Sequence, residues 1–113
     1  TSFGLGNWLN NDLPTGQKGF VPTTNFYDRI YGKNRWKSLT NLSLSIGQDA
    51  LLTTPIQMAN MTAAIANRGY YYTPHIIKSI ENDSIDDRFR NPIRTLVDSS
   101  LFEIVIKGMQ EVV

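Results

Sequence analysis

The chain has 113 residues, of which 41% are apolar and 19% charged, and this composition is ordinary for one small globular domain. Eleven basic and ten acidic residues give a net charge of +1, which predicts no overall attraction to nucleic acid or to an acidic membrane surface. The absence of cysteine excludes disulfides, thiolate metal sites and a cysteine nucleophile, and a single histidine excludes a histidine-rich metal site. No run of about 18 apolar residues occurs, so no transmembrane helix is predicted within the chain.

The first 53 residues predict loops and a short helix, preceded within residues 1–23 by a short helical or turn segment. Residues 1–23 are rich in Gly, Asn and Pro, and Pro14 followed by Gly16 favours a turn because proline fixes φ and glycine permits φ > 0. A helix is predicted over residues 24–32, whereas residues 33–53 show a mixed pattern with a turn at Ile46-Gly47-Gln48-Asp49. The signals for the helix are a capping Thr24, the apolar Phe26, Tyr27 and Ile30, and the terminating Gly32.

The clearest predicted element is a helix over residues 55–68. Thr54 is placed to cap it, Pro55 occupies the first helical position, and Gln57 completes a capping box. Gly69 stands where a left-handed residue would end the helix. Because the helix is apolar nearly all round, we expect it to be buried on all sides. Its apolar residues are Ile56, Met58, Ala59, Met61, Ala63, Ala64, Ile65 and Ala66.

Extended structure is predicted next, over residues 69–80, from its aromatic and β-branched residues. Pro74 confines this segment to a sheet edge or a break, and residues 81–92 are predicted to form a polar loop or hairpin end. Three consecutive tyrosines lie near the start of the segment. Tyr71, the middle one, is expected to face away from the other two because side chains alternate along a strand.

A second clear helix is predicted over residues 99–113. Ser100 and Glu103 would form its capping box, or Asp98 or Ser99 would cap it instead, and Glu103 would pair with the lysine one turn later. We expect this helix to pack against the helix over residues 55–68. Its apolar stripe consists of Leu101, Ile104, Val105, Gly108, Met109 and Val112.

Residues that could carry chemistry give weak signals. The motifs Ser-x-x-Lys, Ser-x-Asn, Lys-Thr-Gly, Lys-Ser-Gly and Gly-x-Ser-x-Gly are all absent from the chain. His75 is interpreted as a structural or surface histidine, Asp86 and Asp87 as part of a solvated loop, and Trp8 and Trp36 as core or packing-surface residues. We therefore predict no catalytic, cofactor-binding or metal-binding residue in this chain.

An ordered set of motifs nevertheless closely resembles the class B penicillin-binding proteins over nearly the whole chain. In chain order these are Phe3-Gly4-Leu5-Gly6; Asp12-Leu13-Pro14 with Gly19 and Pro22; Ile46-Gly47-Gln48; Thr54-Pro55-Ile56-Gln57-Met58-Ala59; Ala64-Ile65-Ala66-Asn67-Arg68-Gly69; Pro74-His75; and Gly108-Met109 with Val112-Val113. The aromatic and basic stretch at residues 27–36 is most similar to the cell-elongation type. The chain departs from the family at Thr15-Gly16, where Gly-Glu is usual, and at Asp49, where Gly is usual; aspartate tolerates φ > 0 better than most residues.

The resemblance implies a serine acyl-transferase, a D,D-transpeptidase that cross-links stem peptides in bacterial cell-wall synthesis and binds β-lactams. Its Ser-x-x-Lys and Ser-x-Asn motifs would precede Thr1 and its Lys-Thr-Gly motif would follow Val113. Residues 1–113 would then be an internal part of the transpeptidase domain, cut at both ends, with scaffold residues but no catalytic serine. The expected fold class is mainly α with a short β-ribbon, the helical part of the α+β transpeptidase fold.

For the whole protein, the resemblance implies the periplasmic side of the bacterial inner membrane, with a membrane anchor outside this chain. It also implies an elongation complex that includes a membrane glycosyltransferase. We further expect self-association, because the apolar stripe of the last helix would be left partly exposed. The alternative hypothesis is an independent helical module that binds a protein or glycan through the tyrosine-rich ribbon.

Overall fold

The computed structural model describes residues 2–33, 35–81 and 83–112. Its regular structure there is mainly helical with one antiparallel two-stranded ribbon, as predicted. Val113, the last residue of the second predicted helix, lies outside the described residues. In chain order the elements are α1 (Thr24–Tyr31), α2 (Ser38–Ser45), α3 (Pro55–Ala66), β1 (Tyr70–Tyr71), β2 (Ile93–Arg94) and α4 (Phe102–Gln110), with 3-10 turns at Asp87–Phe89 and Ser99–Leu101. Within these ranges no helix is long and apolar enough to cross a membrane.

Helices α1 and α2 lie on one excursion of the chain, residues 21–51, whose two ends are joined by backbone hydrogen bonds. Phe20 N–H donates to Leu52 O at 2.7 Å, and Leu52 N–H donates to Phe20 O at 2.9 Å. Inside the excursion the buried ring of Tyr27 contacts other aromatic rings at centroid distances from 5.4 to 6.2 Å. These neighbouring rings belong to Phe26, Tyr31 and Trp36.

The first helix begins as predicted but is capped by a different residue. Thr23 is the N-cap: its backbone is extended and its Oγ1 accepts a hydrogen bond from Phe26 N–H at 3.3 Å. The prediction of Thr24 as the cap is therefore wrong, since Thr24 is already helical. Gly32 ends the helix with φ of 89°, as expected.

Helix α2 was not predicted. Its sequence is rich in serine, threonine and asparagine, which compete with helical hydrogen bonds through their side chains, and its N-cap, Lys37, forms no side-chain cap. The turn after it is present, with Gly47 at φ of 73°. Asp49 does not adopt positive φ, so its occurrence in place of the usual glycine requires no left-handed backbone.

Helix α3 has the predicted capping box, but the prediction that it is buried on all sides is wrong. Its buried side chains, Gln57, Asn60 and Ala64, lie on one face, whereas Ile56 and Met58 are exposed. Among the described elements α3 contacts β1 and α4, and its buried face also contacts the N-terminal segment, which leaves its other faces exposed. The helix ends at Ala66, and a sharp turn follows it.

Residues Arg68 and Gly69 make that turn, with φ of 56° and 105°. A Cβ added at Gly69 would lie 2.9 Å from the ring of Phe102 and 3.2 Å from Thr95 Oγ1. Glycine is therefore required both for the backbone conformation and for the close approach of α4.

The ribbon pairs Tyr70 with Arg94 and Tyr71 with Ile93. It is shorter than the predicted extended segment, because pairing stops before Pro74, which has no N–H to donate. Tyr71 is buried and Tyr72 is exposed, which confirms the predicted alternation of the tyrosines.

Helix α4 packs on α3, as predicted, through Phe102, which is only 2% exposed. Asp98, one of the alternative caps, accepts hydrogen bonds from Ser100 N–H and Oγ–H, so the Ser100–Glu103 capping box is wrong. The predicted pairing of Glu103 with Lys107 is also wrong. Glu103 instead forms an ion pair with Arg68, at 2.7 Å, because the turn after α3 brings that side chain closer.

The chain is extended for its length. Its radius of gyration is 17.0 Å, against about 13 Å for a compact domain of similar size. The buried apolar side chains are correspondingly few, and the predicted stripe of α4 is exposed as expected. The buried set consists of Leu9, Tyr27, Ala64, Tyr71, Phe89 and Phe102.

Candidate functional site

Gln57, on the buried face of α3, is the most heavily hydrogen-bonded side chain among the described residues. Its Oε1 accepts from Thr54 N–H at 3.0 Å, which completes the helix cap. Its Nε2 lies 2.7 Å from Lys18 O, 2.9 Å from Asn7 O and 3.4 Å from Gly4 O. The residue is 1% exposed, so these bonds are shielded from water. One amide therefore connects α3 to three points of the N-terminal segment.

Two neighbouring residues extend this connection. Asn60, one turn after Gln57, donates from Nδ2 to Phe3 O at 3.3 Å. Gly19 adopts φ of 64°, and a Cβ there would clash with Leu52 O and lie 2.8 Å from Gln57 Oε1. We call Gln57 and Asn60 the amide pair. Together they hold the backbone of residues 3–18 against α3.

Asp12 makes a second long-range connection. Its Oδ2 accepts hydrogen bonds from Ile76 N–H and Ile77 N–H, both at 2.8 Å. The hydrogen bond from Ile77 is the largest of the effects that lower the pKa of Asp12. Asp12 Oδ1 is buried and has no hydrogen-bond partner among the described residues. The first residue of Asp-Leu-Pro thus fastens the N-terminal segment to the chain that follows β1.

His75 is exposed in the segment that follows β1 and has local contacts. Its Nδ1 lies 3.0 Å from Thr73 O, and its ring centroid lies 4.8 Å from that of Phe89. Among the described residues it forms no hydrogen bond with a serine, so the structure does not bring a serine–histidine pair together.

The two adjacent carboxylates of the polar loop also have local partners. Asp86 Oδ1 accepts from Arg88 N–H at 2.9 Å and its Oδ2 pairs with Arg88 Nε at 3.1 Å. Both Asp86 and Asp87 are exposed, as predicted for a solvated loop.

The tryptophans pack in the structure, in agreement with their predicted role. Trp36 Nε1 donates to Asp28 Oδ1 at 2.8 Å, and the ring of Trp8 lies directly against the backbone of Gly16. Gly16 does not adopt positive φ, so the predicted reason for a glycine there is wrong; close approach to Trp8 requires it.

Inside the excursion, Tyr27 donates its hydroxyl proton to Asp49 Oδ2 at 2.7 Å. Burial, followed by this hydrogen bond, raises the pKa of Tyr27 to about 12. The tyrosine is therefore a neutral donor at physiological pH and holds the end of the excursion to α1.

The contacts of Gln57, Asn60 and Asp12 link segments that are distant in the chain. No group of three or more potential metal ligands occurs in the part of the chain that the structure describes. One cavity there, of about 310 Å³, is mostly apolar and is lined by residues that include Trp8, Leu9, Leu13 and Ile56.

The architecture and motif order define a class of protein. The penicillin binding protein transpeptidase domain family matches residues 1–113, and the chain belongs to this family. Among solved structures, the crystal structure of Pseudomonas aeruginosa PBP2 in complex with WCK 5153 is similar, with 32% identity and a TM-score of 0.76 over 98% of this chain. The fold is therefore the helical part of a PBP2-like transpeptidase domain, as predicted.

Similar curated proteins are also transpeptidases, by name peptidoglycan D,D-transpeptidase MrdA. The chain is 36% identical to the peptidoglycan D,D-transpeptidase MrdA of Acinetobacter baumannii over 77 residues, which is 68% of this chain and 11% of that protein. It is 29% identical to MrdA of Haemophilus influenzae over 121 aligned positions, covering 96% of this chain and 18% of that protein. The chain thus spans less than a fifth of the length of these relatives, and 25% of the PBP2 chain.

The sequence predicts the capping role of Gln57 Oε1 but not the long-range hydrogen bonds of Gln57 Nε2 and of Asp12. The capping-box pattern predicted the hydrogen bond from Thr54 N–H to Gln57 Oε1, because these residues are only three positions apart. The carbonyl groups that accept from Nε2 lie 39 to 53 residues away in the sequence. The N–H groups that donate to Asp12 lie 64 and 65 residues away. Only the motifs themselves, Thr-Pro-x-Gln-x-Ala and Asp-Leu-Pro, could have pointed to them.

Proposed function

We propose that the chain is part of the transpeptidase domain of a peptidoglycan D,D-transpeptidase, an enzyme that cross-links stem peptides and is acylated by β-lactams. The observation that carries this proposal is the match to PBP2, which extends over 98% of the chain at 32% identity with a TM-score of 0.76. A likeness at that identity and coverage supports common activity of the whole proteins and more than a shared fold.

Within that enzyme we propose a scaffold role for residues 1–113. Support comes from the missing Ser-x-x-Lys, Ser-x-Asn and Lys-Thr-Gly motifs, since acyl transfer needs the serine, its base and the strand that they supply. The amide pair and Asp12 support the same role, because their hydrogen bonds fix backbone segments to one another.

The finer assignments follow the family. We propose that the whole protein acts on the periplasmic side of the inner membrane, anchored outside this chain, with peptidoglycan stem peptides as substrates. We also propose that it works in an elongation complex with a membrane glycosyltransferase. The similarity to MrdA proteins from several bacteria supports these assignments.

The test uses a fluorescent β-lactam and detects the covalent adduct on denaturing gels. The full-length gene product should be acylated, and an excess of unlabelled β-lactam should abolish the signal. The 113-residue chain, treated in the same way, should remain unlabelled.

Two results would contradict the proposal. Stoichiometric labelling of the 113-residue chain would mean that it contains its own nucleophile. A gene without Ser-x-x-Lys upstream and Lys-Thr-Gly downstream, whose product is not acylated, would favour the independent binding module.

A further inference from the structure

One cavity of the chain is lined by polar groups from three separate segments. Its volume is about 420 Å³, within the usual range of sites for small molecules. The lining includes Trp8 and Asn10 from the N-terminal segment, Tyr71 and Thr73 from β1 and the residues after it, and Arg88 from the 3-10 turn before β2. Among the described residues that line it, none is an aspartate or a glutamate. The wall therefore offers hydrogen-bond donors and one cation without an opposing carboxylate.

Contacts within the chain fix the shape of this cavity. Tyr71 pairs with Ile93 across the ribbon, and Arg88 Nη1 donates to Asn10 Oδ1 at 3.2 Å. Gly4 lines another side, where an added Cβ would lie 3.5 Å from Tyr71 Oη. Because the three segments hold one another directly, the cavity is a feature of their packing and not an uncovered face of one helix.

Two hydroxyl groups in the wall have no protein partner. Tyr71 is 7% exposed and Thr73 is 3% exposed, and neither hydroxyl forms a hydrogen bond among the described residues. Unlike Asp12 Oδ1 and Thr95 Oγ1, however, these two oxygens are not closed off from solvent. Since both residues line the cavity, it is there that their hydroxyls remain accessible. Largely buried hydroxyls are normally hydrogen-bonded, so these two favour a partner inside the cavity.

The guanidinium of Arg88 is held in place by three neighbours. Its Nε pairs with Asp86 Oδ2 at 3.1 Å, its Nη1 donates to Asn10 Oδ1, and its Cζ lies 4.5 Å from the ring centroid of Phe89. A guanidinium has five N–H donors, and these contacts use only two of them. Because Asp86 already balances part of its charge, Arg88 suits a ligand with a single negative charge better than a dianion.

We propose that this cavity binds a small monocarboxylate, with the hydroxyls of Tyr71 and Thr73 and the guanidinium of Arg88 as hydrogen-bond donors. Hydrogen bonds to a carboxylate are about twice as strong as those between neutral groups. Burial raises the pKa of Tyr71, so its hydroxyl stays protonated and can donate. Trp8 offers an apolar surface to the rest of the ligand. This inference goes beyond the proposed function and does not depend on it.

The test uses the full-length gene product and N-acetylglycine, a monocarboxylate, with N-acetylglycinamide as its neutral match. Equilibrium dialysis of the radiolabelled compounds should show saturable binding of the acid and binding of the amide that is weaker by about tenfold or more. Tyr71→Phe and Thr73→Val each remove one hydroxyl and nearly keep the shape of the side chain. Each should weaken binding of the acid by about tenfold, because a donor to a charged group is lost.

The matched controls are Tyr72→Phe and Arg90→Gln, because both side chains are exposed and neither lines the cavity. Both variants should bind N-acetylglycine like the wild type. Acylation by a fluorescent β-lactam, measured on the same samples, reports separately on the proposed function.

Thermal unfolding without ligand gives a second measurement. A hydroxyl that no protein group satisfies can be removed without loss, so Tyr71→Phe and Thr73→Val should keep or raise the melting temperature. A lower melting temperature for both would mean that the rest of the domain satisfies these hydroxyls, and it would overturn the inference. The same holds if the wild type shows no saturable binding, if acid and amide bind equally, or if the two substitutions leave binding unchanged. Should the variants fail to fold, the comparison of acid and amide on the wild type decides.

Discussion

At the scale of single residues, Gln57 shows how one amide can belong to two structures at once. Its oxygen completes the cap of α3, while its nitrogen donates to backbone carbonyls of the N-terminal segment. A capping residue is usually exposed and stabilises only its own helix. Because Gln57 is buried, its removal should loosen a segment far away in the sequence as well.

Replacing Gln57 with leucine should lower the free energy of unfolding by about 3 kcal/mol, because buried carbonyls lose their donor and Thr54 N–H loses its acceptor, while the Thr54 cap itself is kept. Urea unfolding followed by circular dichroism measures the change. The matched control is Gln48→Leu, at an exposed turn, which should change stability by less than about 0.5 kcal/mol. Equal effects of the two substitutions would show that the Nε2 contacts contribute little.

Asp12 should make stability depend on pH in the acid range. Its folded-state pKa lies below the ordinary value of about 3.9, so its contribution is present above that value and is lost as pH falls through the folded-state pKa. Asp12→Asn keeps an oxygen acceptor but removes the charge. The variant should be less stable than the wild type at neutral pH, and the two should converge in acid.

Urea unfolding across this pH range tests the convergence. Asp87→Asn is the control, because the Asp87 side chain forms no hydrogen bond within the described residues. A difference between wild type and Asp12→Asn that persists unchanged in acid would contradict the role assigned to the carboxylate.

At the scale of elements, sequence signals succeeded where the determining contacts are local. The capping box and Pro55 fixed the start of α3, and Asp98 was among the caps considered for the second helix. Helix α2 could not be predicted, because its residues have low helix propensity and its N-cap forms no side-chain hydrogen bond. It lies in an excursion whose ends are joined by the Phe20–Leu52 hydrogen bonds. Glu103 forms its ion pair with Arg68 and not with Lys107 one helical turn away. Rules for spacing within a helix could not predict this, because Arg68 lies outside the helix.

The junction of α3, β1 and α4 should be sensitive to any side chain at Gly69. Gly69→Ala places a Cβ at positive φ and 2.9 Å from the Phe102 ring, so we expect a loss of about 1–3 kcal/mol in stability. Gly108→Ala, in α4 with no atom within 4 Å of the new Cβ, is the control and should stabilise by about 0.5–1 kcal/mol. Thermal unfolding of both variants compares them, and an unchanged melting temperature for Gly69→Ala would refute the packing argument.

At the scale of the whole molecule, the apolar residues can be read from the sequence, but which of them are buried could not be predicted from it. Helix α3 was expected to be surrounded, yet only the face bearing Gln57, Asn60 and Ala64 is buried. Burial depends on how many elements lie nearby, and this chain spans a quarter of the PBP2 chain that it resembles. The apolar pattern of α3 therefore fits a complete domain, in which more elements are available to cover the helix, better than it fits this chain alone.

The uncovered apolar surface should make the 113-residue chain self-associate. Between α3 and α4 lies an apolar groove of about 240 Å³, and Leu101 and Val105 on its rim are about half exposed, beside the more exposed Ile104. Contiguous apolar surface of this kind drives association because contact removes it from water. Sedimentation velocity over a range of concentrations should show a rising average mass for the wild type. The double variant L101Q/V105Q should shift the chain toward monomer, whereas Ile76→Gln, an exposed residue away from the groove, should not. A wild-type chain that stays monomeric at the highest concentration would show that the exposed stripe is not adhesive.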